Sequence, residues 1–138
     1  MEAGYALSAE SRALAGILLI ALVTVETGGL YLLWVVRGRD KVTPFQLAFA
    51  RAGHAHAGVL LILALLCQVF ADATGQSGFF DWLSRSGVAV SALLMPAGFF
   101  FSSMGEGREK PNRLVVLVLA GAALLAVSLL SLALGLLG

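Results

Sequence analysis

Five side chains inside otherwise apolar stretches have the chemistry to bind a metal ion, a haem or a proton: Glu26, Arg51, His54, His56 and Met95. Carboxylate, imidazole and thioether groups are common ligands of transition metals, and imidazole and thioether groups ligate haem iron. An ionisable group in a long apolar segment is costly unless it is paired or neutralised. These residues are therefore the candidate functional residues of the chain.

Glu26 lies in the middle of the first apolar stretch, within the segment VTVETGG. A protonated glutamate sharing one structural hydrogen bond between helices is one interpretation. The other is functional, with Glu26 as a metal ligand, as a group hydrogen-bonded to a ligand, or as a proton-coupling group. Arg51 is a candidate for the same supporting or proton-coupling role.

His54 and His56 are separated by one residue, and this spacing limits what they can do together. Two residues correspond to about 200° around a helix, so the two rings point to nearly opposite sides. In a regular helix they do not chelate one metal ion. Instead, the two histidines serve two different sites, or one ligates a metal ion or haem while the other reaches a neighbouring subunit. A local distortion at Gly53 would bring them together, and two structural, hydrogen-bonded histidines are the plain alternative.

The elements that must position these residues are four apolar stretches, at about 13–36, 44–71, 82–104 and 114–137. Each reaches the length of about 20 residues that a membrane-spanning helix needs. The chain is 59% hydrophobic and 12% charged, whereas soluble domains are about 45–50% apolar and about 25% charged. We therefore expect one all-α domain over residues 1–138, an integral membrane four-helix bundle.

Helix geometry predicts that the candidate residues share one depth in this bundle. At about 1.5 Å per residue, Glu26 is about 15 Å from the end of its stretch and His54 about 15 Å from Pro44. Met95 is about 12 Å from Ser103, near the end of the third stretch, by the same count. Small residues beside Glu26 and the histidines favour close helix approach. We therefore expect Glu26 to approach His54 or His56.

Several function classes have no support in the sequence. A single Cys excludes cysteine-cluster metal sites, and a net charge of +1 gives no reason to expect nucleic-acid binding. Neither a phosphate-binding glycine-rich loop nor a nucleophile elbow is present. Asp81, four residues before Arg85, is typical of a solvated helix start.

The segment FARAGHAHAG, residues 49–58, resembles one found in an uncharacterised family of small bacterial four-helix integral membrane proteins. Locally, His54-Ala55-His56 is similar to the His-x-His of haem–copper oxidases, in which two rings on opposite faces of one helix ligate different haems. The first resemblance implies a multi-pass protein of the bacterial cytoplasmic (inner) membrane. The second implies that the spacing is compatible with haem or copper chemistry.

These observations favour a membrane protein that binds haem or a transition metal (copper, iron or zinc) through His54 or His56, with a redox role. Glu26 and Met95 are candidate further ligands. A small proton-coupled transporter or channel is the alternative, because a lone glutamate in the first of four helices is similar to the layout of small multidrug-resistance exporters. A third interpretation is a non-catalytic accessory subunit. The expected partners are the lipid bilayer and a second copy or a larger membrane complex.

The distribution of Lys and Arg predicts that both termini are extracytoplasmic. Seven of the nine basic residues lie near the first or third turn-around, which the positive-inside rule assigns to the cytoplasm; they are Arg37, Arg39, Lys41, Arg51, Arg108, Lys110 and Arg113. A C-terminal alkaline phosphatase fusion should therefore be active. A C-terminal reporter that works only in the cytoplasm contradicts this topology.

Overall fold

The computed structural model describes residues 6–138, and four long helices account for most of them. The helices are α1 (Ala9–Val36), α2 (Pro44–Thr74), α3 (Gly78–Ser103) and α4 (Val116–Leu137), with a 3-10 turn at Arg113–Val115 before α4. No strand occurs within residues 6–138. Four segments are long and apolar enough to cross a membrane. The all-α four-helix fold expected from the sequence is confirmed.

The helices extend beyond the apolar stretches at the end of the bundle that holds the chain termini. Helix α1 begins at residue 9 rather than 13, α2 ends at 74 rather than 71, and α3 begins at 78 rather than 82. Hydropathy marks only the apolar part of a helix, whereas capping marks its true end. The Ser8 side chain accepts a hydrogen bond from the Ser11 backbone N–H at 3.1 Å, and Gly75 ends α2 with a left-handed φ of 68°.

Segments 37–43 and 104–112 lie together at one end of the bundle, which we call the two-loop end; the opposite end is the terminal end. Thr43 and Gln46 form a capping box at the start of α2. The Gln46 side-chain amide also donates to the carbonyl oxygens of Ser103 and Gly105, at 3.0 and 2.7 Å. The Thr43 hydroxyl donates to the Arg108 carbonyl at 2.5 Å. These bonds join the two segments into one polar surface.

Helix α3 is the centre of the bundle, packed between α2 and α4, while α1 packs mainly against α2. The buried core is built from aliphatic side chains, small residues and sulfur-containing residues, namely Leu18, Leu60, Leu61, Ala64, Cys67, Ala71, Val88, Ala92, Met95 and Leu132. Because α1 covers one edge of α2 only, most of its surface faces outward.

Glycines allow α3 and α4 to approach closely. A Cβ added at Gly98 would lie 2.6 Å from the backbone nitrogen of Val118, and one added at Gly87 would lie 1.9 Å from Oγ of Ser128. Gly121 of α4 likewise faces Met95, with 2.5 Å between an added Cβ and Cγ. Small residues let helix backbones meet in lipid, where packing supplies much of the association energy. The close α3/α4 contact therefore depends on glycine, which has no side chain, at these three positions.

We expect Gly98→Ala to destabilise the bundle by about 1–3 kcal/mol, the usual cost of overpacking, because the new methyl group meets backbone that cannot rotate away. Gly58→Ala in α2 is the matched control, since no atom lies within 4 Å of its added Cβ. That control should be neutral or stabilise α2 by about 0.5–1 kcal/mol. Unfolding of the purified protein in detergent, followed by circular dichroism, measures both. Equal effects of the two substitutions would contradict the close α3/α4 approach.

Candidate functional site

His54 lies at the contact between α1 and α2. A Cβ added at Gly28 would be 3.1 Å from Nδ1 of His54, and one added at Gly29 would be 3.5 Å from both Cε1 and Nε2. The ring therefore occupies the space that the two glycines leave open on α1. Helices α1 and α2 do approach through these small residues, as the sequence predicts. No hydrogen bond from the His54 ring to any residue of the range 6–138 is found.

His56 is directed to a different neighbour and is held more firmly. Its Nδ1 is 2.8 Å from the carbonyl oxygen of Ala52, and its ring stacks on Phe99 of α3 with 4.9 Å between centroids. A carbonyl oxygen only accepts hydrogen bonds, so Nδ1 is the donor in this contact, and in the neutral ring Nε2 then carries the lone pair. The two histidines thus have different surroundings, as their angular separation of about 200° predicts.

No hydrogen bond or ion pair within residues 6–138 joins Glu26, Arg51 or Met95 to either histidine. Glu26 and Arg51 are exposed, and within residues 6–138 neither forms an ion pair. Met95 is buried against Gly121 of α4, whereas His54 packs on α1. In the part of the chain that the structure describes, no group of three or more His, Cys, Asp or Glu side chains is placed to hold a metal ion.

A cleft runs between α1 and α3 with α2 as its floor, and we call it the α1/α3 cleft. Its middle cavity, about 280 Å³, is lined by His54 together with Thr24 and Thr27 of α1 and Leu93 and Pro96 of α3. A cavity of about 370 Å³ lies at the two-loop end and one of about 540 Å³ at the terminal end. The ring of Phe100 lines both the middle cavity and the two-loop cavity, so it separates them.

At the terminal end, Arg85 of α3 joins three helices. It forms an ion pair with Asp72 of α2, donates to Asp81 at 2.8 Å and donates to the Ser11 hydroxyl of α1 at 2.5 Å. Only 13% of the Arg85 side chain is exposed. The expectation of a solvated helix start is therefore incomplete: the Asp81–Arg85 pair exists, but it belongs to a largely buried network. The spacing of polar residues in the sequence did not predict this network, because Asp72 and Ser11 are far from Arg85 along the chain.

Gln68 is buried beside this network. Its hydrogen bonds fix the orientation of its side-chain amide. The amide nitrogen donates to the carbonyl oxygens of Ala64 and Arg85, at 3.0 and 2.8 Å. The amide oxygen Oε1 has no hydrogen-bond partner within residues 6–138. Gln68 also lines the terminal-end cavity of the cleft. The network therefore binds α1 to α2 and α3 at the point where the cleft ends.

The comparisons with protein-family models, curated proteins and solved structures gave no match for this chain. Function is therefore inferred from the arrangement of its own residues.

We expect Arg85→Leu to destabilise the protein by about 3 kcal/mol, because Asp72 and Asp81 lose the cation that compensates their burial. Arg12→Leu is the matched control, since Arg12 is exposed and forms no ion pair within residues 6–138. Adding Asp72→Asn to Arg85→Leu should recover part of the loss. Chemical unfolding in detergent measures all three, and an equal loss for the two arginine variants would contradict the network's structural role.

Proposed function

We propose that this protein binds a haem or a transition metal ion (copper, iron or zinc) in the membrane through an imidazole of α2, and that it serves electron transfer. The observation that supports this best is the 2.8 Å hydrogen bond between Nδ1 of His56 and the carbonyl oxygen of Ala52. Ligating histidines usually donate their other ring N–H to a carbonyl or carboxylate, which fixes the tautomer and the ring orientation. His56 has this arrangement, with the Nε2 lone pair left for a metal.

Haem suits the available ligands better than a bare ion does. Structural and catalytic zinc sites take three or four protein ligands, and among residues 6–138 no group of three His, Cys, Asp or Glu side chains is placed to hold a metal ion. A haem brings its own four equatorial nitrogens and takes one or two axial ligands from protein, for which His is common. His56 would hold the haem through Nε2, because Nδ1 is engaged with the Ala52 carbonyl. When bound, haem supplies one-electron redox chemistry.

The neighbours of His56 orient its ring and surround it with aromatic surface. Phe45, Phe49 and Phe99 form a row of aromatic contacts, with centroid separations of 4.3 Å for the first pair and 5.4 Å for the second. The row ends on the His56 ring. Aromatic side chains provide flat, rigid, apolar surface. This part of the α2/α3 surface therefore suits a planar macrocycle.

We also propose that the protein belongs to the bacterial cytoplasmic membrane, with both termini outside and the two-loop end in the cytoplasm. The excess of Lys and Arg at the two-loop end supports this orientation. The protein would act as a homo-oligomer or as a subunit of a membrane complex, since the diverging rings of His54 and His56 do not meet at one haem.

The test is the absorption spectrum and metal content of protein purified from its native membrane, with His54→Ala as the matched control for His56→Ala. His56→Ala should lose the cofactor, and added imidazole should restore the spectrum of His56→Gly. His54→Ala should keep the cofactor and mainly loosen the α1/α2 contact. The proposal fails if the native protein holds no stoichiometric haem or metal, or if the two alanine variants lose it equally.

A proton-coupled transporter or channel is a second candidate, which the α1/α3 cleft favours. Imidazole exchanges protons near neutral pH, and His54 lines the middle cavity of the cleft. The lone position of Glu26 in α1 predicts this role for Glu26, but Glu26 does not line any of the three cavities described above. In liposomes, this function predicts proton flux that is lost in His54→Gln. Loss in Glu26→Gln alone would return the role to Glu26.

A further inference from the structure

Two side chains of opposite charge lie well inside the spanning helices without an ion-pair partner among residues 6–138. Glu26 is about 15 Å along α1 from Val36, the last residue of that helix, and Arg51 is about 10 Å along α2 from Pro44, the first residue of that helix. Both counts start at the two-loop end. Both side chains are exposed. Charged groups at such depth face the interior of a bundle or pair with one another. Here both face outward, so a partner must come from outside the chain.

On α2, Arg51 and the contact with α3 lie on opposite sides of the contact with α1. His54 marks the line where α2 meets α1. Arg51 is about 60° from His54 around the helix, and Gly53 is about 100° from it in the other sense. Gly53 faces α3, since an added Cβ would lie 3.1 Å from the ring of Phe100 and 3.2 Å from Cβ of Phe99. Arg51 is therefore on the side of α2 away from α3.

On α1, the same reasoning places Glu26 away from the α1/α3 cleft. Gly28 and Gly29 face α2. Glu26 is about 110° from the midpoint of that contact, and Thr24 is about 90° from it in the other sense. Thr24 lines the middle cavity of the cleft. Glu26 and Arg51 therefore share the opposite face of the α1/α2 pair, which we call the Glu26/Arg51 face.

We propose that a second copy of this chain covers the Glu26/Arg51 face, and that Glu26 of each copy pairs with Arg51 of the other. This dimer is independent of the proposed cofactor site, because His56 packs against Phe99 of α3 and Arg51 lies on the other side of α2. A face that carries one charge of each sign is self-complementary. A two-fold axis places the positive group of each copy against the negative group of the other.

The geometry suits such a pair. The Gly28/Gly29 contact with His54 sets the antiparallel register of α1 and α2. In that register Arg51 is about 8 Å closer to the two-loop end than Glu26 is. The long arginine side chain spans this offset, and an arginine–carboxylate pair in a low-dielectric setting makes strong charge-assisted hydrogen bonds.

A pair within one chain would leave both charged groups facing lipid. Between two copies the same pair is surrounded by protein. The remainder of the face is apolar and continues along α2 through the exposed side chains Val59, Ile62 and Leu66. This apolar surface packs against the same surface of the second copy, and no other charged side chain of residues 6–138 is buried there.

The experiment exchanges the charges between copies. Glu26→Lys and Arg51→Glu are expressed singly and together with different tags, and dimer formation is measured by co-purification from nanodisc-reconstituted membranes. Each single variant places like charges across the interface and should dimerise at least about tenfold more weakly than the original protein. Co-expression should restore the dimer, because the lysine introduced in one chain meets the glutamate introduced in the other, and the original pair forms at the second site. Glu109→Lys, on an exposed loop, is the control and should leave dimerisation unchanged.

Three results would overturn the proposal: the original protein is monomeric, the single variants dimerise normally, or co-expression fails to restore the dimer while Glu26→Lys with Arg51→Glu in one chain does. The last result indicates a pair within one chain. Glu26→Gln and Arg51→Gln provide milder variants if the charge reversals do not insert, and these should also weaken the dimer. Cofactor content is read from the same preparations, so a failed dimer and a failed cofactor proposal are distinguished.

Discussion

In the hydrocarbon core of a bilayer no water satisfies polar groups, so each polar side chain of a spanning helix needs a partner in protein. Most of them find it within their own helix. Ser91 and Ser128 donate to the carbonyl oxygen four residues before, at 2.9 and 2.7 Å, and Thr24 donates to the one three residues before, at 2.6 Å. Glu26 has no such local solution because a carboxylate and a carbonyl oxygen both only accept hydrogen bonds, and one carbonyl would leave most of the five N–H donors of Arg51 unpaired. Hydroxyl side chains therefore need only a carbonyl of their own helix, whereas these two charged side chains need a partner on another helix.

The two histidines show how one short segment meets that constraint in two ways. His56 takes the local solution, a hydrogen bond to the Ala52 carbonyl, and gains a ring contact with Phe99. His54 lies in the space above Gly28 and Gly29 and borders a cavity. The first histidine has an ordered tautomer and a free nitrogen, which is the condition for a ligand. The second is packed at a helix contact, which makes it the better candidate for a group that exchanges protons with the cleft.

The sequence was sufficient for the spans, for their order and for the divergence of the histidine rings, since these follow from hydropathy and helix period. It was not sufficient for the rotation of each helix. In lipid the outer face of a helix is as apolar as the inner face, so no hydrophobic stripe marks the core side. Met95 was therefore grouped with the histidines by depth, although its side chain packs on α4. The Arg85 network was missed for another reason, because Ser11 and Asp72 meet Arg85 only through tertiary structure.

Helix α1 has the least buried apolar stretch of the four helices. Only 6% of its most apolar 18-residue stretch is buried, against 50% for α3. It is attached at the terminal end through Ser11 and the Arg85 network and in the middle by the Gly28/Gly29 contact with His54. The same helix forms one wall of the α1/α3 cleft and half of the Glu26/Arg51 face. A displacement of α1 therefore changes the cleft and the dimer face together, so a second copy that holds Glu26 also fixes the width of the cavity beside His54.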